Sequence, residues 1–252
     1  MGKFYINPNY EFIVNKFIYE YDIQQGNINV MKRYGLIEDN LYDALKILPK
    51  EERNRKVGLL IQNNKELSEA LSSGFTEVVD NFISINNILP DDILSVKNDA
   101  VFLVNRKPMV TQFDNINFIE KNRYNLFNRI GALETYYQYD IMADTEKLDI
   151  KGIKDTFLEL HKDYMLDFIC HIYYLVMTGN VAQAIVNSRF FYQQYSNRSL
   201  NVNYYRELNH TSKFNIYNKY GVNTCDDVNN IKIGYNKKIL TELNKFLSKI
   251  YY

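Results

Sequence analysis

Apolar and polar positions alternate along FIYEYDI at 17–23, where aromatic or β-branched residues interleave with polar ones up to Asp22, the signature of a half-buried strand. The period then lengthens. Leu41, Leu45 and Leu48 share one face of a helix predicted over 39–48 and closed by Pro49. KEERNRKVGLLIQ at 50–62 begins polar and basic and turns apolar, as a helix with an exposed first part does. Gly74 marks a break, and TEVVDNFISINN at 76–87 reads as a further helix. Two short apolar runs, 93–97 and 100–105, meet at Lys97-Asn98-Asp99, and Asn-Asp between such runs suits a tight hairpin. Extended structure is expected again at 109–120. From about 151 helical periodicity dominates, in IKDTFLELHKDYMLDFICHIYYLVM, VAQAIVNSRFFYQQY and the closing KKILTELNKFLSKI. These patterns predict a mixed part of strands and helices over 1–150, then a mostly helical region over 151–252. The chain has no internal repeat and no Pro/Gly/Ser linker at that boundary.

The hairpin raises a chemical question. An unpaired carboxylate between the apolar runs of ILSVKNDAVFLV costs several kcal/mol or protonates. Asp22 ends one predicted strand and Asp99 sits at the turn between two others, so a sheet that aligns these strands puts both carboxylates at one edge. Hard oxygen ligands in that arrangement suit Mg²⁺ or Mn²⁺, with the remaining positions left to water and a substrate phosphate.

Composition changes the picture less. At 252 residues and 46% hydrophobic content the chain can fill a real core, while 30 basic and 30 acidic residues cancel and give no general argument for a polyanion partner. Cys170 and Cys225 lack any CxxC or Cys/His ligand spacing, which argues against a disulfide scaffold or structural zinc. No apolar run approaches the roughly 20 residues of a membrane helix. The start MGKFYINPNYEF lacks the apolar core of a signal peptide, and the residues after Gly2 miss the Ser or Thr of a myristoylation signal. A soluble protein of the cytoplasm is therefore expected, with no membrane partner. Twenty-two Tyr and no Trp resemble the usage of an AT-rich genome, of which a phage of a low-GC host is one source.

Several short motifs, in order over about 17–155, resemble the palm of a family B DNA polymerase in a shortened form. YDIQQGNINV (21–30) resembles the first palm motif, an Asp followed by Ser-Leu-Tyr-Pro-Ser. KEERNRKVG (50–58) is similar to Lys-x-x-x-Asn-Ser-x-Tyr-Gly at Lys50, Asn54 and Gly58. SVKNDAVFLV (95–104) is similar to Tyr-Gly-Asp-Thr-Asp-Ser-Val-Phe-Val, with Asp99 on the second, metal-binding Asp. KNRY (121–124) resembles the Lys-Lys-Arg-Tyr element that touches the primer, and Lys151-Gly152 a later Lys-Gly at the start of the thumb.

The resemblance implies an α+β palm-like core, an antiparallel sheet with helices packed on one face and reduced fingers at about 30–90, then a helical thumb-like region, in a nucleotidyltransferase of the polymerase or primase kind. Its partners would be a primer/template, nucleoside triphosphates and other viral replication or transcription proteins, and its site the host cytoplasm. It implies Asp22 and Asp99 as catalytic metal ligands, with the Ile23 carbonyl adding an oxygen. Lys50 and Arg53 would neutralise the triphosphate, and Asn54 and Gly58 would line the nascent base pair. Lys121, Arg123, Tyr124, Lys151 and Gly152 would meet the nucleic acid. Asn27 stands where the family has the Tyr that excludes a ribose 2′-hydroxyl, and an amide can hydrogen-bond that hydroxyl, so sugar selection would be relaxed.

The chain also departs from the family. Lys97 replaces the third motif's first Asp, Arg55 and Val57 replace the Ser and Tyr of the second, and no segment corresponds to a proofreading exonuclease. A degenerate palm, serving as a nucleic-acid-binding or structural subunit of a replication or transcription complex, is the competing class. Elsewhere the plainer readings prevail. Asp167 and His171, four apart, read as a helix–helix contact, His210 beside Arg206 as part of a tyrosine-rich core, and Cys170 as a buried, inert thiol.

Overall fold

The computed structural model describes residues 4–131, 133–153, 161–206, 208 and 233–251. The chain divides into two compact units, one holding residues up to Tyr10 together with Lys16–Arg123, the other Glu11–Asn15 with Tyr124–Tyr252. The boundary expected from sequence lies at 150, where helical periodicity begins.

The first unit opens with β1 (Phe4–Ile6) and β2 (Phe12–Ile23), a strand longer than the FIYEYDI alternation that marks it. Four helices follow: α1 (Gly26–Arg33), α2 (Asp39–Lys46), α3 (Lys50–Gln62) and α4 (Lys65–Ile85). The chain returns to the sheet through the hairpin of β3 (Ile93–Lys97) and β4 (Ala100–Val104), then the short β5 (Gln112–Phe113) and the long β6 (Ile116–Ile130). The strand order in this unit is β1-β3-β4-β2-β6, with β5 paired to β6. Lys97 pairs with Ala100, so Asn98 and Asp99 form a two-residue turn, and Asn98 takes a left-handed conformation at φ 57°. Asn105, expected to end β4, instead leaves the strand at φ 50°, and its Oδ1 accepts from the Phe17 amide at 3.0 Å.

Strand alternation sends Tyr19, Tyr21 and Ile23 of β2, with Val101 and Leu103 of β4, into a core shared with Val78, Val79 and Phe82 of α4. Phe82 stacks on Phe118 of β6 at 3.9 Å between ring centroids. Gly74 is no break: α4 runs through it. A Cβ there would lie 2.8 Å from Val30 Cγ1 and 3.0 Å from Tyr34 Cδ2, so glycine lets α1 approach α4 closely.

The second unit carries its own part of β6, then β7 (Leu133–Asp140) and β8 (Thr145–Lys151), paired antiparallel in that order. Neither β7 nor β8 is expected from the sequence pattern. The first five positions of β7, Leu133–Tyr137, are all buried, which removes the alternation that would announce a strand. A short π-helix at Lys162–Leu166 leads into α5 (Asp167–Met177), followed by α6 (Val181–Ser196) and α7 (Gly234–Tyr251). These helices cover the helical stretches expected from 161 onward, and Leu240, Leu243 and Phe246 of α7 join Ile169, Ile172 and Tyr173 of α5 in one core. Of the earlier expectations, residues 154–160, His210 and Cys225 lie outside the described residues.

Candidate metal centre

Because Tyr19, Tyr21 and Ile23 point to the helices, Glu20 and Asp22 lie on the opposite face of β2. Antiparallel register sets Asp22 beside Ala100, the first residue after the hairpin turn. The Ile23 amide donates to the Asp99 carbonyl at 3.2 Å and seats the turn against the end of β2. The Asp22 and Asp99 carboxyl groups are thereby neighbours. Burial first, and then the Asp22 charge, push the Asp99 carboxyl up to about 6.

The pair is not left bare. Lys121 of β6 places its Nζ 2.8 Å from Asp22 Oδ2. Burial lowers the Lys121 pKa, but the Asp22 hydrogen bond and the charges of Asp22, Glu20 and Asp99 outweigh it, so the ammonium is held above its ordinary range. Glu20, only 1% exposed, accepts from Asn122 Nδ2 at 2.5 Å. Asp22 Oδ1 is buried and has no hydrogen-bond partner. A buried carboxylate oxygen without a donor is a costly feature and is the kind of atom a cation satisfies. The donor chemistry fits Mg²⁺ or Mn²⁺, which bind through one or two carboxylates and keep several waters. Among the described residues, no group of three or more His, Cys, Asp or Glu side chains could hold a metal ion, and Asp22 and Asp99 offer two carboxylates.

The other candidates fall elsewhere. Ile23 is buried, 4% exposed, in the core beneath the site. Asn27 is half-buried in the first turn of α1. Lys50, Asn54 and Gly58, four apart on α3, line one exposed stripe, and nothing lies within 4 Å of a Cβ built on Gly58. Arg53 is half-buried and donates to the Leu48 carbonyl at 3.1 Å. Among the described residues no hydrogen bond or ion pair joins Lys50, Asn54 or Arg53 to Asp22 or Asp99.

Arg123 is paired with Glu120 at 2.7 Å and lies over the Tyr19 ring. Tyr124 corrects its expected place. It is fully buried, its hydroxyl donating to Asp149 Oδ2 at 2.5 Å and its ring packed on Tyr136, so of KNRY it is Lys121 and Arg123 that reach solvent. Lys151 closes β8, and Gly152 follows at φ +102°, a conformation that favours glycine. Lys97 pairs with Ala100, which pairs with Asp22, so Lys97 shares the face of Asp22 two strands away, about 10 Å at ordinary strand spacing. Glu20 and Asn122 escaped the sequence reading. The signal for Glu20 was its position two residues before Asp22 on an alternating strand.

In the second unit, Asp167 and His171 line a polar cavity of about 430 Å³ with Asp144, Glu146, Tyr139 and Tyr174. Burial, then the Glu146 charge, push the Cys170 thiol up to about 12, which keeps it protonated and unreactive. A second groove, about 670 Å³ between α6 and α7, is lined by Arg189, Tyr192, Lys245 and Lys249 together with uncharged polar side chains. No helix among the described residues is long and apolar enough to cross a membrane. No curated protein matches the sequence. The family model of the bacteriophage PBS1 gene 130 protein matches residues 2–250, nearly the whole of the 252-residue chain, and the chain belongs to that phage family.

Proposed function

We propose that the protein is a metal-dependent nucleotidyltransferase, a minimal template-directed polymerase or primase-like enzyme. Asp22 and Asp99 are its metal ligands. The observation that carries this reading is the meeting of two carboxylates on the sheet face opposite the helices, one of them with a buried oxygen that no donor satisfies. When bound, the metal supplies charge neutralisation at the reacting phosphate and a more acidic attacking hydroxyl. The exposed α3 stripe of Lys50, Asn54 and Gly58 offers a cation, an amide and an open backbone to an incoming triphosphate, with Arg53 beside it. Lys121 and Arg123 meet the primer backbone, where charge matters more than base identity. Asn27 hydrogen-bonds a ribose 2′-hydroxyl, so ribonucleotides are used alongside deoxyribonucleotides. In the second unit, Arg189 and the Tyr192 ring of the α6/α7 groove suit a nucleic-acid strand, while Lys245 is paired with Glu242 and Lys249 with Glu11.

The test is nucleotide incorporation with Mg²⁺ or Mn²⁺ on primed and unprimed templates, with ribo- and deoxyribonucleotides in parallel. Asp22→Ala and Asp99→Ala are each expected to lower incorporation by at least about a hundredfold, the scale of losing one preorganised group that stabilises developing charge. Circular dichroism should stay unchanged. A second reading, a degenerate palm that binds nucleic acid as a subunit of a phage replication or transcription complex, is favoured by Lys121 on Asp22 and by the two-carboxylate donor set. Nucleic-acid binding with no incorporation by wild-type protein, alone or with phage partners, would select it.

A further inference from the structure

Lys121 reaches Asp22 from 99 positions along the chain and places its ammonium on Oδ2, while Oδ1 of the same carboxylate is left without a donor. Asp99 and Glu20 act on the same ammonium through their charges. The Lys121 side chain is 45% exposed, so it can rotate off Asp22 without unpacking the core. An ammonium and a hydrated divalent ion seek the same carboxylate edge, and a flexible lysine stem makes the exchange conformationally cheap. Resting on the metal-site reading above, we infer that Lys121 is a resident counter-cation: it holds the Asp22–Asp99 pair in the metal-free protein, and it leaves Asp22 when a divalent ion binds, freeing its ammonium for a nucleic-acid phosphate.

This direct occupancy differs from the general field of a nearby charge, and Lys97 separates the two. Its backbone lies on the same face as Asp22, two strand spacings away, where its charge adds positive potential. Mn²⁺ binding, read by the paramagnetic resonance of the free ion at fixed ionic strength, is compared in wild type, Lys121→Met, Lys121→Gln, Lys97→Met and Asp22→Asn. Removing a charge in contact with the ligand should tighten Mn²⁺ binding by at least about tenfold in both Lys121 variants, against less than about threefold for Lys97→Met, as distance and screening reduce its field. Asp22→Asn should remove binding. A second readout needs no variant: lysine acetylation followed by mass spectrometry should show Lys121 protected in chelator and more reactive with Mn²⁺.

Equal or weaker Mn²⁺ binding in both Lys121 variants, a Lys97→Met gain as large as theirs, or Lys121 acetylation that does not rise with Mn²⁺ would each overturn the inference while leaving the metal site standing. Absence of Mn²⁺ binding from wild type and the Lys121 variants alike would overturn the metal site itself, and the inference with it.

Discussion

The two units hold their carboxylates in different ways. In the second, tyrosine hydroxyls serve them: Tyr124 donates to Asp149, Tyr136 to Glu134 and Tyr137 to Glu146, at 2.5–2.7 Å. Tyr173, fully buried, meets Thr135 at 2.7 Å and accepts from Asn128 at 3.2 Å. Burial drives the Tyr137 and Tyr173 hydroxyls well above the ordinary phenol range, so they remain donors at any physiological pH. In the first unit Asp22 and Asp99 crowd together, with Lys121 as the counter-charge and Asp22 Oδ1 unserved. What sets Asp22 and Asp99 apart from these acids is that they crowd each other, where the others each meet a tyrosine hydroxyl. A carboxylate that already accepts a phenol proton has one fewer lone pair to offer a ligand, whereas an unserved one stores an interaction for later.

The largest effect expected from breaking this contrast is on stability in the second unit. Tyr136→Phe removes the donor to Glu134, which is only 3% exposed, and should destabilise the protein by about 2 kcal/mol in denaturant unfolding, the cost of leaving a buried acceptor short of its partner. A loss below about 0.5 kcal/mol would mean that the tyrosine–carboxylate pairs are not what satisfies these acids.

Next in size are two pH dependences of opposite sign. His161 is buried, and burial first, with the Arg206 charge second, pushes it down to about 4 from 6.5. Its unfolded form binds more protons between those values, so its contribution to stability falls as pH drops through that window. His161→Gln should flatten this acid limb by about 1–2 kcal/mol. Asp99 is raised from 3.8 to about 6, so its folded form binds more protons there, and stability from this group rises as pH falls from 6 to 3.8. In chelator, Asp99→Asn should therefore stabilise the protein above pH 6 by about 1–2 kcal/mol and gain nothing near pH 3.8. Thermal unfolding across this range checks both, and matching signs would erase the contrast.

The smallest effect concerns the α6/α7 groove. Arg189→Glu should weaken single-stranded nucleic-acid binding a few-fold and shift the salt dependence by about one counterion per charge removed, read by fluorescence anisotropy at several ionic strengths. An unchanged salt slope would remove the groove from the nucleic-acid path.

Local pattern carried much of the fold. FIYEYDI announced β2, the ILSVK and AVFLV runs announced the hairpin, and leucine spacing announced α2, because alternation and helical period are properties of neighbouring positions. Gly74 misled for an equally local reason: in sequence it reads as a breaker, and only the side chains of Val30 and Tyr34 across the helix pair explain it. Tyr124 is expected at the primer only through the resemblance of KNRY to a family motif, and its burial depends on Asp149, 25 residues on, which accepts its hydroxyl.

What the sequence by itself determined is the pair of strand ends on which Asp22 and Asp99 stand, since alternation and an Asn-Asp turn are written in adjacent residues. It also determined the chain's place in a phage family. Tertiary structure alone decided that these carboxylates adjoin, that Lys121 rather than Lys97 holds Asp22, and that Glu20 stands behind them. The physical reason is sequence distance. Lys121 and Asp22 are 99 positions apart, and strand pairing, not any local preference, brings an ammonium to within 2.8 Å of a carboxylate.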